Sequence, residues 1–449
     1  MVVENPLRSR KMKVMLALMS ILLTCKGSIS EVRPSFFGMH INKISSMPVD
    51  VPVGSIRLWD TATNWFQLCS SSDYSRCDWR HLDDWLAAAQ RNGVSKVLYT
   101  FGKTPDWASS DPRGSCGGAR PGVCYPPRDL TADGGGTDNA FQKFVEALVD
   151  HNQRLDPHTY AKIKFWGIWN EPTAKFSWRG STAQLVRMAK DAREIIRRAD
   201  PEALILTPEP AANLRNDATN SAIEWWNDYL ARGGGKYADV IAFHVYANAD
   251  RGHPAPEVVL GIIARIKTQL THYPEVSGKP LWITEGSWGR SDETNWSEDD
   301  DASAFLVRFY LLIASEGIER LYWYGWDVPT GTLWANGHSL PAALAFREVH
   351  NWLVGRSVTH CISQSHLWSC EIGAPGYRGR IVWDDEYRRK ASYDASGFGT
   401  YRSATGEGGS IDPKLHLLQV GNSPVLLEEH RSAVTARPTG EVHQRHLTP

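Results

Sequence analysis

"KFWGIWNE", Lys164 to Glu171, is an apolar run of strand length that stops on an amide and an acid just before Pro172. Seven other runs share its texture: "FFGMHIN" (Phe36 to Asn42), "SIRLWD" (Ser55 to Asp60), "KVLYTFG" (Lys96 to Gly102), "ALILTPE" (Ala203 to Glu209), "VIAFHVY" (Val240 to Tyr246), "LWITEGSW" (Leu281 to Trp288) and "RLYWYGW" (Arg320 to Trp326). Segments with apolar residues at helical spacing separate most of them, such as "FQKFVEALVDHNQRL" and "TAQLVRMAKDAREIIRRAD". Ser181 is placed to cap the second of these, and Pro201 to end it. Strands alternating with helices predict βαβ units around a parallel sheet. Eight such repeats predict an α/β fold of the (β/α)8 TIM-barrel type. The link "KISSMPVDVPVG" between the first two strands is too short and too rich in proline for a full helix, so an irregular crossover is expected there.

After Gly355 the texture changes to short apolar pieces divided by Gly and Ser, as in "SHLWSCEIG", "GRIVWDD" and "SPVLLEE". These predict a small C-terminal β domain, with Cys361 and Cys370 bracketing a hairpin. The expected division is a signal segment over 1–30, the barrel over 31–355, the β-rich unit over 356–430 and a polar, disordered tail over 431–449.

The chain of 449 residues balances 49 Lys and Arg against 50 Asp and Glu. That balance argues against nucleic acid or anionic membranes as partners. A monomer is expected. The N-terminus sets Arg8, Arg10, Lys11 and Lys13 before an apolar run from Val14 to Leu23, the order of a secretory signal. The run is too short to span a bilayer comfortably. Export to a secreted or periplasmic location without stable membrane insertion is therefore expected, with a lipid anchor at Cys25 as the alternative. The other six cysteines form three close pairs, Cys69 with Cys77, Cys116 with Cys124 and Cys361 with Cys370. Local disulfides suit an oxidising compartment. None shows the spacing of a zinc site, and neither metal nor cofactor is expected.

A TIM barrel carries its chemistry at the C-terminal ends of its strands. Glu171 closes the fourth run and Glu285 the seventh, and two carboxyl groups flanking one bond can hydrolyse a glycoside. Glu171 would be the acid, desolvated by Trp166, Trp169 and Trp178; Glu285 would be the nucleophile, kept ionised by donors such as Arg57 and Tyr246. An arginine inside "SIRLW" needs a partner if it points into a barrel. His40 and His244 are further candidates for lining the site. Glu209, closing "TPE", is read as structural or substrate-binding.

"WNEP" on the fourth strand, "HVY" on the sixth and the lone acid of "ITEG" on the seventh resemble the pattern of clan A glycoside hydrolases, retaining β-glycosidases on (β/α)8 barrels. "FFGMHINK", "GSIRLWD" and the trailing "PVLLEE" look closer to family 39 and related bacterial exopolysaccharide endoglycosidases. The resemblance covers about Phe36 to Glu429. It implies Glu171 as acid/base, Glu285 as nucleophile, Asn170 on the sugar 2-hydroxyl, His244 and Tyr246 near the nucleophile, Arg57 beneath it and Trp323 as a stacking floor. The single small β unit differs from the fuller sandwich of family 39 xylosidases. The expected activity is a secreted retaining β-glycosidase acting on polysaccharide or oligosaccharide, with endo action preferred. The alternatives are exo action, transglycosylation by the same residues, or a carbohydrate-binding barrel without catalysis.

Overall fold

The computed structural model describes residues 31–48, 50–213, 218–247, 255–290, 299–359 and 361–429. The signal-like segment 1–30 and the tail 431–449 lie outside the described residues.

The barrel strands are β1 (Phe37–His40), β2 (Ser55–Leu58), β3 (Lys96–Thr100), β4 (Lys162–Gly167), β5 (Leu204–Leu206), β6 (Ala211–Asn213), β7 (Ile241–Tyr246), β8 (Leu281–Ser287) and β9 (Arg320–Trp323). They form a parallel sheet in the order β5-β4-β3-β2-β1-β9-β8-β7-β6. β5 and β6 are two halves of one stave, interrupted because Pro208 and Pro210 have no N–H to give the ladder. The interruption is bridged on both sides. Glu209 N bonds Trp169 O and Glu171 N bonds Glu209 O toward β4, while Thr207 N bonds Val240 O and His244 N bonds Pro210 O toward β7. The ring therefore closes with eight staves, as the eight runs predict.

Helices follow the staves. After β2 come α1 (Trp65–Leu68) and α2 (Arg80–Arg91), and after β3 comes α3 (Asn139–Arg154). α4 (Thr182–Ala199), α5 (Ala218–Ala231), α6 (Val258–Leu270), α7 (Asp299–Ser315) and α8 (Pro341–Leu353) complete the outer layer. Ser181 caps α4 through a capping box with Gln184, which satisfies two orphan N–H groups at once. The β1–β2 crossover holds only a 3-10 turn, Ile44–Ser46, in keeping with its prolines.

Side-chain parity sorts the two cores. Leu98, Phe165, Leu206, Val240, Ala242, Trp282 and Tyr322 fill the barrel interior as a separate apolar cluster. Their neighbours Val97, Trp166, Ile241, Phe243, Ile283, Leu321 and Trp323 belong to the larger core between sheet and helices, as the two-residue period of a strand requires. Arg320 closes the interior from below, its guanidinium 4.4 Å from the Phe165 ring centre and 4.3 Å from that of Trp282.

β10 (Trp334–Ala335) and β11 (His338–Ser339) pair just before α8. Beyond α8 an antiparallel sheet runs β12 (Ser357–Val358), β14 (Leu367–Ala374), β15 (Tyr377–Asp384), β20 (Val425–Glu429), β17 (Phe398–Ser403) and β18 (Gly408–Ser410), with β13 (Ile362–Gln364) beside β14, while β16 (Ala391–Asp394) pairs with β19 (Leu417–Val420). Along β15 Ile381 and Trp383 join the barrel-side core while Val382 joins a cluster on the opposite face. The sheet is thus packed on both sides. Trp383 Nε1 also bonds Glu257 Oε1 at 2.9 Å, just before α6. Cys361 is disulfide-bonded to Cys370 across the hairpin of Ile362–Gln364 and Leu367–Ala374. Its turn residues Ser365 and His366 both have positive φ, which suits a tight two-residue hairpin turn.

The long connection from β3 to α3 forms one wall above the barrel and is stapled by Cys116–Cys124. It is pinned to α4 at Asp138, which is fully buried with neither carboxyl oxygen near a donor. Burial, the adjoining Asp191 carboxyl and the charge of Asp129 push Asp138 up to about 9, against Arg187. Arg187 and Gln142 both bond Asp191, each at 2.8 Å. The folded protein therefore keeps a proton on Asp138 that the unfolded chain releases near its ordinary carboxyl range. Stability should fall as pH rises from about 4 to about 9 through this group. The expected result is that Asp138→Asn flattens that slope and raises stability at pH 7 by on the order of 1–4 kcal/mol, measured by urea unfolding across the pH range.

Candidate active site

Five staves converge on Arg57. β2 alternates strictly, so Ile56 and Leu58 face the helices while Arg57 points inward, fully buried. All five of its N–H donors are used. Nε donates to Thr100 Oγ1 at 3.0 Å, Nη1 to His40 Nε2 at 2.7 Å and to Glu285 Oε1 at 2.6 Å. Nη2 donates to Asn170 Oδ1 at 2.7 Å and to Glu209 Oε2. Glu209 fits beside Thr100 because residue 167 is glycine: a Cβ there would lie 2.4 Å from Glu209 Oε1 and 2.8 Å from Thr100 Oγ1. Arg57 stays protonated; burial opposes its charge, but Glu209 and Glu285 more than offset that.

Glu285 reaches the centre through a backbone irregularity. Phe243 pairs with Ile283, yet His244 pairs with Glu285, so Thr284 is an extra residue against β7. The same shift appears against β9, where Ile283 pairs with Leu321 and Gly286 with Trp323. Ile283 faces the helices, and strict alternation would send Glu285 the same way; the bulge re-aims it inward. Its Oε2 accepts the Tyr246 hydroxyl at 2.7 Å. Burial, joined by the charge of Glu171, raises its carboxyl above the ordinary value against the pull of His244, Arg57 and the Tyr246 hydroxyl.

Glu171 follows Asn170 at the mouth of β4 with a left-handed φ of 41°, a conformation that costs a bulky residue on the order of 1–3 kcal/mol and clusters at functional sites. Its Oε1 lies 3.0 Å from His244 Nδ1, which is also 3.3 Å from Glu285 Oε2. Donor atoms of Glu171, His244 and Glu285 all lie within 4.8 Å of one another. His244 is fully buried, which disfavours its charge, but Glu285, Glu171 and Glu209 more than offset burial and push it up to about 9. His244 is thus paired with the carboxyl groups on either side of it. His40 is the opposite case: burial and the charges of Arg57 and His244 hold it well below its ordinary value, and the neutral ring can accept from Arg57.

Above these groups opens a cavity of about 730 Å³, lined among others by Trp59, Asp60, Asn170, Glu171, Phe176, Tyr246, Glu285 and Tyr324. The structure thus brings Glu171, Glu285, Asn170, Arg57, His40, His244 and Tyr246 together. Two expected residues lie elsewhere. Trp323 is fully buried against Phe309 and Tyr310 of α7, with Nε1 donating to Gly331 O at 2.7 Å. Trp178 packs on Trp169 in the outer core and donates to Ser181 O. Trp166 also faces the helices, stacked on Phe101. These indoles therefore neither form a sugar floor nor desolvate Glu171 from within the cleft. On the last stave the cleft receives Tyr324, whose hydroxyl donates to Asp60 Oδ2 at 2.7 Å. Parity carries that signal, since Arg320, Tyr322 and Tyr324 share one face of "RLYWY" and Trp323 the other.

A closed (β/α)8 ring with two carboxyl groups facing one cavity at its C-terminal end defines a glycoside hydrolase of clan A. Residues 62–328 match the sequence profile of the Cellulase family (glycosyl hydrolase family 5), and the chain belongs to that family. No curated protein matches it. Among solved structures it is similar to a family 39 glycoside hydrolase from Bacteroides cellulosilyticus WH2, with TM-score 0.66 and 17% identity over 89% of this chain and 83% of that one. It also resembles a family 30 endoxylanase from Clostridium papyrosolvens C71 (TM-score 0.56, 12% identity, 89% and 97% covered). A family 44 endoglucanase from Clostridium thermocellum gives TM-score 0.55 at 12% identity, again covering 89% and 97%. At these identities the neighbours speak for the fold. They agree with the barrel and the attached β unit.

Proposed function

We propose that this retaining glycoside hydrolase is exported and cleaves β-linkages within a polysaccharide, with Glu285 as nucleophile and Glu171 as acid/base. The observation that carries the assignment is the pair of carboxyl groups on one cavity with oxygens within 4.8 Å. Oxygens that close favour the roughly 5–5.5 Å carboxyl separation of retaining enzymes over the roughly 6.5–9.5 Å of inverting ones. Both oxygens of Glu285 already accept donors, from Arg57 and Tyr246, which favours the ionised form a nucleophile needs. The buried cluster holds two cations, Arg57 and His244, against the three carboxyl groups of Glu171, Glu209 and Glu285. Glu171 is the most exposed of these three acids, the one placed to meet a leaving oxygen. Asn170 is oriented by Arg57 to meet the sugar hydroxyl beside the bond that breaks.

Endo action is supported by the cavity volume, which exceeds one sugar ring, and by Phe176, a rim aromatic that is 50% exposed. Such a face suits a sugar bound beyond the cleaved bond. Export is supported by the three local disulfides, which persist in oxidising compartments. Among the described residues no helix is long and apolar enough to cross a membrane.

The test is incubation with a panel of β-glycans, following product masses and the anomer first released by NMR. Oligosaccharides of mixed length with retained configuration are expected; single sugars released from chain ends would replace endo with exo action, and inverted products would remove the mechanism. Glu171→Gln should lower turnover of natural glycans by about 10²–10⁴-fold while sparing the first step on aryl glycosides with good leaving groups. Equal losses on both substrate types would deny Glu171 the acid role.

A further inference from the structure

We propose that Lys103 is a specificity residue that selects glycans bearing a carboxylate, so that the substrate is an acidic polysaccharide. This rests on the glycosidase reading above and names its substrate class. Lys103 lines the cleft on the wall that follows β3, and Arg290 lines it on the wall that follows β8. These staves stand opposite each other in the ring, so the two cations face the cavity from opposite sides.

Three features of Lys103 point to a ligand. Its backbone has φ 61°, where glycine or asparagine would sit with less strain, so a long cationic side chain stands at a strained position. Its ammonium lies 4.9 Å from the Trp59 ring centre, so the face of Trp59 is taken by a cation and supports that charge. Gly102 makes room for the indole, since a Cβ there would be 2.5 Å from it. Among the described residues the nearest carboxylate is Asp60, 3.8 Å away and beyond hydrogen-bond range, while its other oxygen accepts the Tyr324 hydroxyl at 2.7 Å. The side chain is 32% exposed and lines the cavity. A substrate carboxylate would complete the charge-assisted bonds that Asp60 does not make.

The experiment pairs glucuronoxylan, hyaluronan and β-linked polymannuronate with their carboxyl-reduced derivatives, alongside neutral β-glucans, and measures initial rates of chain cleavage. The wild type should cleave the acidic member of its preferred pair about tenfold faster or more, the share of one charge-assisted hydrogen bond. Lys103→Gln should bring that ratio to about one, Lys103→Glu should invert it, and Lys103→Arg should keep it; unfolding midpoints verify that each variant is folded. A wild type that cleaves reduced and acidic members equally, or prefers neutral glucans, overturns the proposal while leaving the glycosidase intact. A ratio unchanged in Lys103→Gln overturns the role of Lys103. Failure to cleave any of these polymers removes the polysaccharide-hydrolase reading, and this inference with it.

Discussion

Glu285→Gln is expected to fold and bind glycan yet turn over slower than wild type by about four orders of magnitude or more, the scale on which enzymes lose activity with their nucleophile. The amide is nearly isosteric, so its oxygen can still accept from Arg57, and Glu209 remains to balance that guanidinium. What it cannot do is form the glycosyl ester. The His244 imidazolium would lose one of the carboxylates that hold its proton, so its pKa should fall from about 9. Two measurements suffice: steady-state rates on the best glycan of the panel, and titration of the His244 ring by NMR. A variant with rates within tenfold of wild type would leave Glu285 no role in bond making.

Arg57→Met should give the largest loss of stability of any single change in the site, about 3–5 kcal/mol. Methionine fills the stem's volume but leaves Glu209 and Glu285 buried without their cation, and strips Thr100, His40 and Asn170 of a shared donor. Arg57→Lys should recover only part of this, because an ammonium cannot serve five directions. The discriminating measurement is urea unfolding of Arg57→Met alone and combined with Glu209→Gln. If the buried charge causes the loss, the second change restores a large part of it; if the two losses simply add, packing is responsible. Activity should fall with stability, since Asn170 and Glu285 are held in place by the same guanidinium.

Much of this site is legible in the chain because strands have a two-residue period. Once "SIRLW" and "FHVY" are taken as staves, Arg57, His244 and Tyr246 fall on the inward face with Trp59 above them, and a buried arginine demands acids nearby. Parity also explains why Trp323 is no stacking floor: it faces the helices, and its neighbour Tyr324 is the residue on the inward face. Trp178 lies outside any strand, so no period could orient it. Glu285 shows the limit of the rule. Counting from Trp282 sends it outward, and only the bulge at Thr284, which exists because β8 must pair with both β7 and β9, turns it to the cavity.

Local order in the chain therefore determined the number of staves, their helices, the three cysteine pairs and the presence of an acid at two strand ends, since hydrophobic period and sequence proximity act over a few residues. Tertiary structure alone decided the gap between Glu171 and Glu285, the left-handed backbone of Glu171, the convergence of five staves on Arg57, and the lysine over Trp59. Each of these depends on closing the ring, which brings together groups separated by up to hundreds of residues, and no local preference encodes a distance across a barrel.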